Sequence, residues 1–315
     1  MDYQLIDAKL VESEPKRTTY NLTASRWSAC DRKMWFNFRN VLTEELTAKT
    51  LRTFAIGHAL EDMLCQGLEK AGLVVAMREA KLLNKWGKTL GMIDGIVKYP
   101  DGTFRLLENK TMNDKNFKEL LKNGIPPHYY AQVQLYMHHS GQLSNAGNKL
   151  TECLFQVLNK NTSELFTQRI PYDVHYAEAQ TQRIELVVDS ESLPRGSESI
   201  ECRWCNYRNF CQGGAIPEIN CRTCANVSVA SGEFHCEFGS SPCSKHLIHP
   251  QIMELAGYEV QMADRANMNI HYPHFINGEH HLTSYRIKEL YDALLLDDET
   301  AMDVVSHFDA TLIPF

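Results

Sequence analysis

The chain has 315 residues, 43% apolar and 23% charged, a balance ordinary for a soluble globular protein and enough for one large domain or two ordinary ones. No run of about 18 apolar residues occurs, which argues against a membrane span, and the opening MDYQLIDAKLVESEPKRTTY lacks the basic-then-apolar order of a secretory signal. The net charge of −7 argues against a general nucleic-acid coat, yet residues 81–122 carry nine Lys/Arg against five Asp/Glu, while 251–315 carry three against eleven. A basic middle beside an acidic tail fits a channel for a polyanion with a tail kept off it.

In chain order, residues 54–72 read as an amphipathic helix ending at Gly72, with Phe54, His58, Leu60, Leu64 and Leu68 at helical spacing. Residues 73–110 read as three strands. Met92, Ile93, Ile96 and Val97 precede an Asp101-Gly102 turn, and Phe104, Leu106 and Leu107 resume the strand. Alternation then carries Glu108 and Lys110 onto the face of Leu106. Burying either charge unpaired is costly. One reading is a solvated strand end. The other is a divalent-metal site, in which Asp94 and Glu108 hold Mg²⁺ and Lys110 positions or polarises a water.

After Pro126-Pro127, residues 128–141 form a second helix stopped by Gly141. Residues 151–170 are a strand, an Asn-Lys-Asn-Thr turn and a strand, and 173–192 are helical. Helix, three strands, helix, two strands, helix is the order of an α/β core with a mixed central sheet flanked by helices. After Gly213-Gly214 the chain is loop-like and Cys-rich to about residue 250, and two or three short C-terminal helices follow.

On the first helix His58 and Glu61 are three apart and share a face; on the second, Gln132 and Tyr136 are four apart and do the same. Each pair alone reads as ordinary polar residues at an interface. The ordered set His58, Asp94, Glu108-x-Lys110, Gln132-x-x-x-Tyr136 resembles the RecB-type branch of the PD-(D/E)XK nucleases, over about residues 20–212. Ile93 stands where the family name has Pro. The resemblance implies a restriction-endonuclease-like core. In it Asp94 and Glu108 ligate one or two Mg²⁺ or Mn²⁺, with the backbone carbonyl of Asn109 and with His58 completing the shell. Lys110 orients the attacking water, and Gln132 and Tyr136 support the site and contact the DNA strand.

Of ten cysteines, Cys65 and Cys153 sit in apolar patterns and read as core. The others fall at Cys30 and within 202–243, and close Cys pairs in a cytosolic-looking chain suggest metal rather than disulfides. Cys202, Cys205 and Cys211 need a fourth ligand, and zinc is the default for any four thiols. The split of one early and three late cysteines, with Ser25, Cys30 and Arg32 at the start, is similar to the iron–sulfur nucleases, among them the AddB-type subunit and the CRISPR-adaptation nucleases. It implies a [4Fe–4S] cluster on Cys30, Cys202, Cys205 and Cys211. Cys221, Cys224, Cys236 and Cys243, with His246 as the chief substitute, read as a zinc-ribbon-like module.

The implied plan is a nuclease domain over 1–214 with the iron–sulfur site, a zinc module over 215–250 and an acidic helical region over 251–315. The implied function is a metal-dependent DNA exonuclease of recombination, repair or degradation, in a bacterial cytoplasm and possibly phage-encoded. The alternatives are a CRISPR-adaptation-like end-trimming nuclease and a degraded, DNA-binding or partner-recruiting relative. The terminal Ile313, Pro314 and Phe315 either pack on the domain or resemble the tail of bacterial single-stranded-DNA-binding proteins, which would imply a host repair or replication partner.

Overall fold

The computed structural model describes residues 2–14, 22–42, 46–144, 147–212, 217–218, 220–236, 249–255, 259–262 and 268–271. The helices are α1 (Asp2–Ser13), α2 (Asp31–Arg39), α3 (Ala48–Lys70), α4 (Asp114–Asn123), α5 (Pro127–His139), α6 (Val174–Asp189), α7 (Arg208–Cys211) and α8 (Pro250–Leu255). The strands are β1 (Val74–Ala76), β2 (Lys81–Leu83), β3 (Thr89–Met92), β4 (Gly95–Lys98), β5 (Phe104–Met112), β6 (Glu152–Asn159), β7 (Leu165–Pro171), β8 (Val227–Ala230), β9 (Glu233–Cys236), β10 (Glu259–Met262) and β11 (Met268–His271). Among the described residues no helix is long and apolar enough to cross a membrane.

The chain divides into two compact units, Met1–Ser28 with Glu44–Ile184, and Ala29–Thr43 with Glu185–Phe315. The first unit is built on a five-stranded sheet of order β1-β4-β5-β6-β7. Only β5 and β6 run parallel; the other neighbours are antiparallel. A parallel pair needs a long crossover, and here the crossover carries α4 and α5. Strand β5 is buried on both faces. Leu106 and Met112 join Phe117 and Leu120 of α4 and Val133, Leu135 and Tyr136 of α5 in one core. Leu107 on the other face packs with Cys65 of α3, Val97 and Leu154.

The α/β core with its mixed sheet therefore matches the sequence order. The three strands expected over 73–110 are five. The Asn84 side chain accepts from the N–H groups of Trp86 and Lys88, both at 3.0 Å, and closes a turn that splits off the β2–β3 pair as its own small sheet. The strand also breaks at Asp94. The β4–β5 hairpin forms at Asp101-Gly102, with Gly102 at φ 84° and the Tyr99 N–H donating to the Thr103 carbonyl at 2.9 Å. Helix α3 begins six residues before the expected start, because Thr47 caps it by accepting from the Thr50 N–H at 3.2 Å. Phe54, read as part of its apolar face, is exposed.

In the second unit α2 packs against the late segment. The Phe36 ring lies 5.2 Å from Tyr207 and 6.2 Å from Phe210, and Trp35 lies 5.5 Å from His249. The Tyr207 hydroxyl donates to Asn37 Oδ1 at 2.9 Å. These contacts accompany the grouping of residues 29–43 with the segment from Glu185 onward. Beyond residue 250 the described residues form α8 and the antiparallel hairpin β10–β11. Cys243, His246 and the terminal residues 313–315 lie outside the described residues.

Candidate active site

Asp94 occupies the break between β3 and β4, and its Oδ2 accepts from the Asn109 N–H at 2.6 Å. That bond pins the loop carboxylate to the middle of the central strand. Glu108, one residue earlier on β5, is 1% exposed and forms an ion pair through Oε1 with the Lys110 ammonium. Its other oxygen, Oε2, has no hydrogen-bond partner. Lys110 Nζ also lies 5.1 Å from the centre of the Tyr129 ring. Alternation along β5 is what brings Glu108 and Lys110 to one face, as the pattern after Phe104 implies.

The local field is short of positive charge. Burial pushes the Glu108 carboxyl up to about 7; Lys110 pulls it back and the Asp94 charge adds to the rise. Burial raises the Asp94 carboxyl as well, against Lys110 and the Asn109 hydrogen bond. Burial alone would lower the Lys110 ammonium, but Glu108 and Asp94 outweigh it and hold the group above its ordinary value. Glu61 of α3 is raised first by burial and next by Asp94, with His58 opposing. Three acids thus act on one another, with Lys110 opposing at Glu108 and Asp94 and Arg78 at Asp94 and Glu61. Glu61 was legible only as the partner of His58 three residues away; its coupling to Asp94 and Glu108 depends on how α3 crosses the sheet.

The remaining expected residues fall around this centre. His58 has a 75% exposed side chain, 4.0 Å from Glu61, and its charge acts on Asp94. Gln132 Nε2 donates to the Tyr136 hydroxyl at 3.2 Å, and both are buried. Burial raises the Tyr136 phenol. Its hydroxyl lies where Gly91 would carry a Cβ, so any larger residue there requires Tyr136 to move. The Asn109 side chain points to the other face, with Nδ2 donating to Cys65 Sγ at 3.7 Å. Tyr129 was not singled out from the sequence, since an aromatic beside Pro126-Pro127 carries no signal of its own.

Among the described residues no group of three or more His, Cys, Asp and Glu side chains is arranged to hold a metal ion. Asp94 and Glu108 supply two carboxylates, and the unpartnered Glu108 Oε2 and the raised carboxyls fit a divalent cation.

The described cysteines of both sets fall in the second unit. Cys30 precedes α2 as its N-cap, and Cys202 and Cys205 flank a turn closed by a Cys205 N–H to Cys202 carbonyl bond at 3.3 Å. Burial raises the Cys211 thiol, Arg32 opposes that through a hydrogen bond, and Cys205 and Cys30 add to it. In the second set, Cys221 and Cys224 bracket a tight turn, the Val227 N–H donates to the Cys224 carbonyl at 3.4 Å, and Val227 pairs with Cys236 across β8–β9. Cys224 and Cys236 therefore lie at the same end of that hairpin.

All six residues of the ordered set, His58 to Tyr136, fall inside the span 19–143 that matches the family model of the YqaJ-like viral recombinase domain. The match spans 125 of the 315 residues. That match agrees with the recombination role that the order of residues implies. No curated protein matches the chain. An alkaline exonuclease from Laribacter hongkongensis, LHK-Exo, is similar at 20% identity and TM-score 0.36, over 54% of this chain and 86% of its own. LHK-Exo in complex with dAMP gives TM-score 0.38 at 20% identity and the same coverage. SSO0001 gives TM-score 0.42 at 17% identity, over 67% of this chain and 96% of its own.

Proposed function

We propose that the YqaJ-like domain is a divalent-metal-dependent exonuclease that hydrolyses phosphodiester bonds of DNA inside the cell during recombination. The observation that carries the reading is Glu108, a buried carboxylate with one oxygen unpartnered, tied to Lys110 and beside Asp94. A bound Mg²⁺ or Mn²⁺ supplies Lewis-acid relief of phosphate charge and a nucleophile at neutral pH. Asp94, Glu108 and the Asn109 carbonyl would hold it, with Glu61 and His58 at its α3 side. Lys110 has the charge and the position to bind a phosphate oxygen and orient a water. The Asn109 N–H keeps Asp94 oriented, and Gln132 and Tyr136 back the pair from α5.

The cysteine sets are read as structural metal sites. Cys30, Cys202, Cys205 and Cys211 would carry a [4Fe–4S] cluster, supported by their gathering in one unit from distant positions and by the influence of Cys205 and Cys30 on the Cys211 thiol. Cys221, Cys224 and Cys236, with Cys243 or His246, would hold zinc, supported by the shared end of the β8–β9 hairpin. The test of function is incubation with end-labelled linear and covalently closed circular DNA, with Mg²⁺ or with EDTA. Loss of linear DNA from its ends, sparing of the circle and full inhibition by EDTA are expected. Equal cutting of the circle would reject the exonuclease, and activity in EDTA would reject the metal.

A further inference from the structure

A groove of about 450 Å³ opens between the end of β5, helix α4 and the start of α5. Its walls include Met112, Asn113, Asn116, His128, Tyr129 and Lys160. Tyr129 joins this groove to the catalytic pair, because its ring lines the groove and lies 5.1 Å from Lys110 Nζ. Met112 is two residues beyond Lys110 on β5 and shares its face. A phosphate held at Lys110 therefore has the groove next to it along the strand.

We propose that the groove holds one unstacked nucleotide of the DNA strand being cut, next to the scissile phosphate. This rests on the nuclease reading above and adds to it where the substrate strand lies. The volume is that of a small-molecule site, roughly 300–1,000 Å³, and suits a single nucleotide rather than a base pair. The His128 and Tyr129 rings, 4.1 Å apart and inclined at 54°, offer a ring surface for a base or sugar. The Asn113 and Asn116 amides can donate to and accept from a base edge. Asn113 is held in place, since its Oδ1 accepts from the Asn116 N–H at 2.8 Å. Lys160, anchored by its N–H to the Met112 carbonyl at 2.9 Å, places a cation at the groove for the neighbouring phosphate. The double proline Pro126-Pro127 fixes the backbone on the α5 side.

The test uses the full chain with Mn²⁺ and a labelled single-stranded oligonucleotide, with one abasic site moved stepwise from the cut end. The wild type should slow about tenfold or more at one abasic position only. Asn116→Leu and His128→Ala should raise KM for the intact oligonucleotide about tenfold and flatten that position dependence. Their hydrolysis of bis(p-nitrophenyl) phosphate, which carries no nucleoside, should stay at the wild-type rate and shows that they fold. If the wild type cuts DNA but both variants keep its KM and its abasic profile, the groove assignment is overturned and the nuclease stands. If the wild type cuts neither DNA nor the small diester, the nuclease reading falls and takes the groove with it.

Discussion

Among the described residues Lys110 is the cation that acts most strongly on both the buried Glu108 and the half-buried Asp94, and the proposed role rests on that. Removing it takes from Glu108 and Asp94 their strongest positive influence and, on the proposed reading, takes from a bound phosphate its orienting group. Lys110→Ala should therefore lose at least about 100-fold in cleavage, measured by single-turnover assay, while circular dichroism stays native. Glu61→Gln should weaken activation by Mn²⁺, seen as a rise in the metal concentration needed for half-maximal rate, because Glu61 acts on both Asp94 and Glu108. An unchanged metal requirement would place Glu61 outside the site. At this scale the common face of Glu108 and Lys110 was legible because strand alternation is a local rule. The nearness of Glu61 and Tyr129 to that face was not, because each comes there only through the packing of its helix on the sheet.

Strands β3 and β4 and helix α5 meet where Gly91 faces Tyr136, and that contact sets how closely the small β2–β3 sheet approaches the site. Gly91→Ala puts a methyl into the Tyr136 hydroxyl. It should cost about 1–3 kcal/mol in urea unfolding, and Tyr136→Phe in the same chain should recover part of that loss. A neutral Gly91→Ala would mean that α5 shifts freely. The C-terminal end of α5 carries a second prediction. Burial lowers His139 to about 4, with the neighbouring His138 and Lys149 charges adding to the effect. The folded state then resists a proton that the unfolded chain accepts below about 6.5. The stability it contributes is complete above pH 6.5 and is lost as pH falls towards 4. His139→Gln should flatten the fall in melting temperature across that window relative to wild type; an identical slope would contradict it. Elements were readable where a Pro pair or an Asp-Gly turn announced them, whereas the Thr47 cap that starts α3 and the Asn113 cap that starts α4 were not read. The split of 73–98 into four strands was hidden because the Asn84 turn and the break at Asp94 depend on side-chain bonds, not on hydrophobic period.

Across the whole molecule, the sequence order of segments is not their spatial grouping. Residues 29–43 join the late Cys-bearing segment through the rings of Trp35 and Phe36, which no linear reading of composition reveals. Two metal populations are expected in the intact protein purified without oxygen: iron with sulfide, giving a broad absorption near 400 nm (about the range of iron–sulfur thiolates), and zinc. Cys202→Ser should bleach the colour while the zinc content holds. Zinc alone in both sets would remove the cluster. The central claim, that the Asp94–Glu108–Lys110 centre cuts DNA from its ends, is tested most directly by one comparison. Wild type and Glu108→Gln are given the same 5′-labelled linear duplex with Mg²⁺, and product is followed through a single turnover. The account predicts stepwise release from the end by wild type and a loss of about 100-fold or more by Glu108→Gln, with DNA binding retained. Cleavage by Glu108→Gln at the wild-type rate would contradict it.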